Sequence, residues 1–313
     1  MTATLWHRLR FGWLDAVVLT SVLGFVLFIV HRVDTVLNYR WGWTAVFSYV
    51  FRWDEGEGRW VSNLLIQGLL TTLRLAVWGL VLAALIGLAM GIGRVSKRLL
   101  PRLVGRTYVE LVRNIPPLVF MFIFYFFISS QLMPMLGIDQ LLAQAGPTTL
   151  SIVSVFFGTP KLIPNFVSGL ICLALFEGAY ITEIVRAGIE AIEKGQWEAG
   201  SSLGLSRAKL MRLVILPQAM QRIIPPLAGQ FITLIKTSSI VSLISIQELT
   251  FLASEVAVST SRTFEVWILV GGFYFTLCFG LALLFARLEA RLARPYGTAR
   301  PVEIAPLKSQ DIP

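Results

Sequence analysis

Charged residues are scarce in this 313-residue chain, where Asp, Glu, Lys and Arg together make up only 14% of the sequence. Hydrophobic residues make up 56%, far more than an ordinary soluble domain contains. We therefore expect the chain to lie in a lipid bilayer. About 20 mostly apolar residues suffice to cross the hydrocarbon core of a bilayer. The composition excludes an ordinary soluble domain and predicts a polytopic integral membrane protein.

Cysteine is also rare, and a common nucleotide-binding pattern is missing. The two cysteines, Cys172 and Cys278, lie in separate apolar runs without the spacing of a metal site, so we expect core residues and no metal centre. The phosphate-binding pattern G-x-x-x-x-G-K-[ST] does not occur, nor does any Gly-Lys dipeptide. The chain is therefore not expected to cradle ATP by this route.

Long apolar runs are what the sequence has instead. The first follows "HRLRFGW" and has no small-x-small cleavage site after it, so we expect a retained span and not a signal peptide. The stretch 148–157 is too short to cross and is expected to lie at the interface or to re-enter. The six predicted spans are Leu14–Val30, Leu64–Gly93, Val104–Ser130, Ser168–Gly188, Ile223–Ser245 and Glu265–Ala286.

The formal net charge of +9 is distributed unevenly about these spans. With the N-terminus in the cytoplasm, eighteen lysines and arginines fall inside and six outside, as the positive-inside rule requires. We therefore expect both termini in the cytoplasm and the spans in contact with membrane lipid. This topology explains the positive net charge, so no nucleic-acid partner is expected. The external segment 31–63 carries four tryptophans, which indicate either a loop at headgroup level or a docking surface for an external partner.

The cytoplasmic segment 194–220, "KGQWEAGSSLGLSRAKLMRLVILPQAM", interrupts the apolar runs. Gly195 is expected to break the preceding helix, and "QWEAGSSLG" to form a short helix ending near Gly204. Ser206 is a candidate N-cap for a second helix that Pro217 ends or bends. Taken alone, this pattern fits a basic amphipathic helix on anionic lipid or a helix-turn-helix that docks on a protein.

The same segment resembles the EAA loop of ABC-importer permeases, although Gly200 and Val214 replace its second alanine and its isoleucine. Further stretches are similar to the polar-amino-acid subfamily, namely "NLLIQGLLTTLRLAV", "RNIPPLVFMFIFYF", "GAYITEIVRAGIEAIEKGQWEA" and "LPQAMQRIIPPLAGQFITLIKTSSIVSLISIQELT". The resemblance covers roughly residues 60–290 in consistent order. The residues in register with the loop pattern are Glu198, Ala199, Gly204, Leu216 and Pro217.

The resemblance implies an all-α integral membrane protein with the type I ABC importer permease fold. Five core helices would follow an additional N-terminal transmembrane helix, giving about six spans with a cytoplasmic coupling helix. It also implies three units: residues 1–60 with the first span and the Trp-rich external loop, the permease domain 61–290, and a loose cytoplasmic tail 291–313.

The resemblance further implies a transport subunit of the bacterial inner membrane that moves an amino acid and has no catalytic residue of its own. Its partners would be a cytoplasmic ATPase dimer that binds ATP and Mg²⁺, a second permease subunit, identical or related, and an external solute-binding protein. The five residues in register with the loop pattern would couple this chain to the ATPase.

Charged groups in the apolar runs are candidates for the substrate path, since a charge in hydrocarbon costs about 2.5 kcal/mol or more. Arg113 precedes consecutive prolines, which predicts a kink, a gate or a carboxylate contact. Glu177 is expected to pair with arginine, to be protonated, or to contact a substrate ammonium. Lys236 and Ser239 belong to a segment that either joins helices or lines the path.

Two further charged residues in the apolar runs, Arg74 and Glu183, are expected to have structural roles. Arg74 is expected to reach the outer interface or to pair within the bundle, and Glu183 to have a structural role. An ion-driven secondary transporter of small zwitterions remains the alternative function, and a non-transporting anchor or sensor is a third. Neither of these explains the loop pattern.

Overall fold

The computed structural model describes residues 12–36, 39–56 and 58–292, and most of them are helical. Within these residues, six helical runs are long and apolar enough to cross a membrane, so the predicted number of spans is confirmed. The tail from residue 293 onward lies outside the described residues, as do Arg8, Arg10, Arg294, Arg300 and Lys308 of the charge count. The six runs are Trp13–Val36, Leu64–Arg94, Pro117–Leu136, Pro160–Glu190, Arg207–Ile244 and Thr263–Ala290.

The helices are joined mostly by short connections, and the strands β1 (Phe51–Asp54) and β2 (Arg59–Ser62) form an antiparallel hairpin. Phe124–Ser129 and Met211–Ile215 are π-helical, and Pro160–Leu162 and Ser238–Ile244 are 3₁₀-helical. The α-helices are α1 (Trp13–Val36), α2 (Trp43–Phe47), α3 (Leu64–Arg94), α4 (Leu99–Arg113), α5 (Pro117–Ile123), α6 (Ser130–Leu136), α7 (Ile138–Ala143), α8 (Pro147–Phe157), α9 (Ile163–Glu190), α10 (Lys194–Ser202), α11 (Arg207–Leu210), α12 (Leu216–Thr237), α13 (Leu249–Thr260) and α14 (Thr263–Leu292).

Helices α3 and α9 form the centre of the bundle and run side by side in the same direction. A stripe of small residues, Gly79, Ala83, Gly87 and Gly91, repeats every four positions along one face of α3. Gly87 packs against Ile181, and a Cβ on Gly91 would lie 2.6 Å from Cγ1 of Val185. Because lipid gives helices no hydrophobic drive to associate, such close backbone approach supplies the packing that holds them together.

The two ends of this bundle differ. Ile189 and Ile192, at the end of α9, share one buried cluster with Leu210 and Ile215 of the 194–220 segment. We call this the coupling end of the bundle, and the end where α3 and α9 begin the far end.

The predicted single span Val104–Ser130 is wrong, because the structure divides it into two helical pieces. Helix α4 ends at Arg113, and a new helical run begins at Pro117 and continues to Leu136. Consecutive prolines explain the break, since proline lacks the N–H of a helical hydrogen bond and disfavours helical backbone in the residue before it. Tyr108 of α4 donates to the Leu175 carbonyl at 2.5 Å, so α4 reaches the middle of α9.

Helix α8, which covers the stretch that was too short to cross, contacts α3 through its C-terminal end. Arg74 Nε donates to the Val155 carbonyl at 3.0 Å, and Trp78 Nε1 donates to the Phe156 carbonyl at 3.2 Å. Arg74 lies about ten residues, or about 15 Å, into α3. Of the two predicted alternatives for Arg74, the structure shows pairing within the bundle. The Arg74 guanidinium donates to a carbonyl at the C-terminal end of α8.

Glu248 joins three elements at the far end. Its Oε2 accepts hydrogen bonds from Thr72 Oγ1 at 3.1 Å and from the Tyr274 hydroxyl at 3.0 Å, and its Oε1 accepts from the Phe251 amide at 2.9 Å. In the structure Glu248 is the N-cap of the additional helix α13.

The described part of the segment 31–63 contains a helix and a hairpin, and is more ordered than the loop predicted from its tryptophans. Trp41 and Trp43 stack with ring centroids 5.8 Å apart, while Trp53 and Trp60 face each other across the hairpin at 5.7 Å. Glu265, in the first turn of α14, accepts hydrogen bonds from the Tyr39 hydroxyl and the Gly42 amide. This segment is thus fastened to the last span.

Candidate coupling segment and translocation path

The 194–220 segment folds as a short helix, a tight turn and a second helix that leads into the membrane. Gly195 lies inside α10, so the predicted break at that residue is wrong; the interruption falls at residues 191–193 instead. Gly204 follows α10 with φ +71°, a backbone conformation that favours glycine. Ser206 caps α11 by accepting from the Lys209 amide at 3.4 Å, as its position predicts.

Gly200 departs from the loop pattern for a reason that the structure supplies. It is the only buried residue of α10, and a Cβ at this position would overlap Cδ1 of Leu210. The Leu205 amide also donates to the Gly200 carbonyl at 3.2 Å, which closes the turn. Glycine therefore allows α10 to pack directly on α11.

The opposite face of α10 is open. Glu198 and Ala199 are exposed, and the Glu198 carboxylate makes no hydrogen bond or ion pair within the described residues. Leu203, which the sequence reasoning passed over, is 80% exposed beside Gly204. A large apolar side chain next to an unpaired carboxylate and a turn glycine is a surface suited to a protein partner. We call Glu198, Ala199, Leu203 and Gly204 the coupling face.

The predicted helix end at Pro217 is wrong, because the helical run continues from Arg207 to Ile244, while the predicted bend stays a prediction. Leu216 and Pro217 are the first residues of α12, directly after the π-helical segment Met211–Ile215. That segment changes the hydrogen-bond register just where proline lacks an N–H, so the chain continues as a helix. The coupling segment is thereby continuous with a membrane span.

An ion-pair cluster fastens the coupling ends of α3 and α9. Glu183 pairs with Arg94 of α3, and its Oε2 lies 2.9 Å from a terminal nitrogen of Arg186. Arg186 also pairs with the exposed Glu190. Arg222 of α12 donates to the Ala191 carbonyl at 2.5 Å, so the third helix is held at the same level.

Replacing Glu183 with alanine is expected to lower the free energy of unfolding by about 2 kcal/mol, between the values for exposed and buried ion pairs. The reason is that Arg94 would keep its partly buried position without a carboxylate. The matched control is Glu190→Ala, which removes the exposed partner of the same cluster. Thermal unfolding of the purified protein checks this, and equal stability of the two variants would contradict the role of Glu183.

Glu177 is buried in the middle of α9. Its carboxylate accepts a hydrogen bond from Gln230 of α12, and Thr237 lies within hydrogen-bonding reach of the same carboxylate. Within the described residues it has no ion pair, so the predicted arginine partner is not seen. The residue reasoning did not single out Gln230 as a partner for Glu177.

The other path candidates make no hydrogen bond or ion pair with Glu177 within the described residues. Arg113 sits over the ring of Tyr180 with 5.2 Å between Cζ and the ring centroid. Lys236 is exposed, and Ser239 Oγ donates to the Lys236 carbonyl at 2.7 Å within its own helical run. Ser239 therefore makes its recorded hydrogen bond within one helix and not between helices.

Helix α4 carries a polar stripe that the sequence reasoning missed. Its residues follow one another at intervals of four, where a helix places side chains on one face. Arg106 and Glu110 are exposed with 4.0 Å between charged atoms, and Asn114 Nδ2 donates to Glu110 Oε2 at 3.2 Å. The buried face of α4 is formed by Gly105, Val109 and Val112. The stripe comprises Arg102, Arg106, Glu110 and Asn114.

Known proteins similar to this chain are transport components. The model of the family described as "Binding-protein-dependent transport system inner membrane component" matches residues 83–294. The chain is 33% identical over 229 residues to the glutamine transport system permease protein GlnP of Escherichia coli (strain K12), which covers 73% of this chain and 93% of that protein. It is 27% identical over 308 residues to the general L-amino acid transport system permease protein AapQ of Rhizobium johnstonii, with 74% and 77% covered.

Solved structures agree with these relatives. A crystal structure described as an amino acid ABC transporter with histidines superposes with a TM-score of 0.61 at 30% identity, covering 81% of this chain and all of the other. The inward-facing MetNI methionine ABC transporter shares the fold, with a TM-score of 0.52 at 16% identity and 74% and 97% covered. The architecture is therefore the type I ABC importer permease fold in a multi-pass membrane protein, and this chain belongs to the family of binding-protein-dependent transport system inner membrane components.

Proposed function

We propose that this chain is a permease subunit of an ATP-driven amino acid importer, forming the translocation path with a second permease subunit, identical or related. The observation that carries the proposal is the exposed coupling face on α10, which packs on the start of the helical run that continues into a span, in a chain whose relatives are named for glutamine and general L-amino acid transport. An external solute-binding protein would deliver the amino acid. The +9 charge and its uneven distribution support cytoplasmic termini in a bacterial inner membrane.

In this proposal a cytoplasmic ATPase dimer, which binds ATP and Mg²⁺, grips the coupling face. The carboxylate of Glu198, which has no partner within the described residues, supports this, because a basic residue in a groove of the ATPase would form an ion pair with it. Leu203 would supply the buried apolar contact that such an interface needs. Leu216 and Pro217 lie where the coupling segment becomes α12, so they would transmit movement of the ATPase to the span.

The polar stripe of α4 would line the path on the coupling side of the membrane. A helix that reaches the middle of α9 with two exposed charges and an amide on one face is too polar to present that face to lipid. Such a face is stable against water or a second subunit. Glu177 and Gln230 lie deeper, where they would contact the amino group of the substrate.

Replacing Glu177 with glutamine is expected to raise the KM of uptake about 10- to 100-fold. The reason is the loss of one charge-assisted hydrogen bond to the substrate, which contributes about 1.5–3 kcal/mol. The basal ATPase rate of the complex should stay unchanged, since Glu177 is remote from the coupling face. Glu255→Gln, a change of the same kind at an exposed position on α13, is the control. A normal KM in Glu177→Gln would remove Glu177 from the path.

The function is tested by purifying the chain from its native host and identifying what accompanies it. We expect an ATPase to co-purify, and its activity in proteoliposomes to rise when binding protein loaded with an amino acid is added. Uptake of each of the twenty L-amino acids then identifies the substrate. Uptake that persists without any ATPase, driven by an ion gradient, would favour the secondary transporter and overturn the proposal.

A further inference from the structure

A cavity of about 320 Å³, lined by both polar and apolar side chains, opens at the far end of the bundle, away from Glu177 and the coupling face. It lies between the first turns of α3, the end of α8, the start of α9 and the loop after Ile244. Its volume is at the lower end of the range of small-molecule pockets, about 300–1,000 Å³. It could therefore hold one small solute.

Arg74 is the cation of this cavity. Its Nε is occupied by the Val155 carbonyl, but its terminal nitrogens have no hydrogen bond and no ion pair within the described residues. Glu248, which binds Thr72 on the same helix, is already occupied by three donors. A guanidinium within a span is stabilised by a partner of opposite charge, so the terminal nitrogens of Arg74 are suited to bind an anionic group of a solute.

Amide side chains surround this cation. Asn165 and Gln247 line the cavity, are exposed, and make no side-chain hydrogen bond in the part of the chain that the structure describes. Gln67 and Thr71 stand on the same face of α3 as Arg74. A guanidinium with neighbouring amides can bind a carboxylate through two N–H groups while the amide oxygens accept from an ammonium.

The walls of the cavity are held in place. Ile246 packs against Gly169 of α9, and the Glu248 hydrogen bonds fix the loop that carries Gln247. Ser245 has φ +61°, a backbone conformation that a residue other than glycine rarely adopts. The aromatic ring of Phe157 forms part of the lining beside Gly158. A cavity of this size favours a small zwitterion over a phospholipid with its chains.

We propose that this cavity is an entry subsite that receives an amino acid at the far end, with Arg74 binding its carboxylate and Asn165 and Gln247 contacting its amino group. The inference rests on the proposed function, because it takes the far end as the external side and an amino acid as the substrate. The subsite would hold the solute before it passes toward Glu177.

The test is protection of a cysteine placed in the cavity. Asn165→Cys is introduced with Cys278→Ala, since Cys172 is buried, and the complex in proteoliposomes is treated with a membrane-impermeant thiol reagent. The probes are L-glutamine first and then the other nineteen L-amino acids. At about tenfold the dissociation constant we expect the labelling rate to fall about tenfold, because only the unoccupied fraction reacts. Ser62→Cys, exposed on β2 and outside the cavity, should label equally with and without the probe.

Arg74 and the carboxylate are tested in the same background. Arg74→Gln should abolish protection and Arg74→Lys should retain part of it, while the labelling rate without probe reports whether the cavity wall is intact. L-glutaminol, which lacks the carboxylate, should not protect. Protection that survives Arg74→Gln, or equal protection by inorganic phosphate or by a short-chain phosphatidylglycerol, would overturn the carboxylate subsite.

Uptake measured in the same proteoliposomes separates the two proposals. If ATP-driven uptake of an amino acid is present but no amino acid protects Asn165→Cys, the subsite is wrong and the proposed function stands. If no amino acid is taken up, the proposed function fails, and the subsite fails with it.

Discussion

Reversing the charge of Glu198 with lysine is expected to lower ATP-driven uptake about 100-fold while leaving the chain inserted in the membrane. The loss corresponds to about 2.7 kcal/mol, in the range of a hot-spot residue in a protein interface. Glu198 is exposed and makes no contact through its carboxylate within the described residues, so the change should not disturb this chain's own fold. Co-purification of the ATPase and its stimulation by loaded binding protein should be lost together.

The matched control is Glu289→Lys. It makes the same charge reversal at an exposed position near the end of α14, away from the coupling face. Leu203→Asp should resemble Glu198→Lys, because it removes the apolar part of the same surface. Unchanged uptake and ATPase stimulation in Glu198→Lys would refute the assignment of α10 to the ATPase.

Replacing Gly87 with leucine is expected to prevent the bundle from forming. Even a Cβ at this position would overlap Ile181 of α9, so a leucine forces the two central helices apart. Overpacking in a tight core costs typically about 1–3 kcal/mol, and the repeated close approach along α3 and α9 places this change at or above the upper limit. Fluorescence-detected size-exclusion of the chain in detergent should show loss of the monodisperse peak.

Gly280→Leu provides the control, because a Cβ on Gly280 of α14 meets no atom within 4 Å. The same substitution at a lipid-exposed position should leave the peak unchanged. A smaller change, Gly91→Ala, should lie between the two, since its Cβ would stand 2.6 Å from Val185 Cγ1. A normal peak for Gly87→Leu would mean that α3 and α9 do not depend on the small-residue stripe.

The spans and the coupling pattern could be predicted because each depends on short-range signals. Apolar length determines whether a helix can cross, and it predicted the number of spans that the structure has. The register of Glu198, Gly204 and Pro217 predicts a coupling segment from the sequence alone. The four-residue spacing of Gly79, Ala83, Gly87 and Gly91 was also readable and would have predicted the central helix pair.

Other features depend on partners that are distant in sequence. Nothing near Glu177 indicates Gln230, which lies fifty-three residues away and meets it only because α9 and α12 pack together. The depth of α4 follows from Tyr108 bonding Leu175. Apolar length placed α4 in one span with the helix that follows it, although the consecutive prolines predicted a kink between them. The continuation through Pro217 depends on a change of hydrogen-bond register that proline's usual effect on helices does not predict.

The helical run from Arg207 to Ile244 is continuous, so movement at one of its ends would be transmitted to the other. Its 38 residues span about 57 Å, more than the thickness of the hydrocarbon core. One end of the run lies beside the coupling face, and the other lies at the loop that carries Gln247. A tilt of about 10° at one end would move the other by about 10 Å if the run stays straight. A displacement of that size exceeds the diameter of an amino acid side chain, so a small motion at the coupling end is geometrically sufficient to open or close the far end.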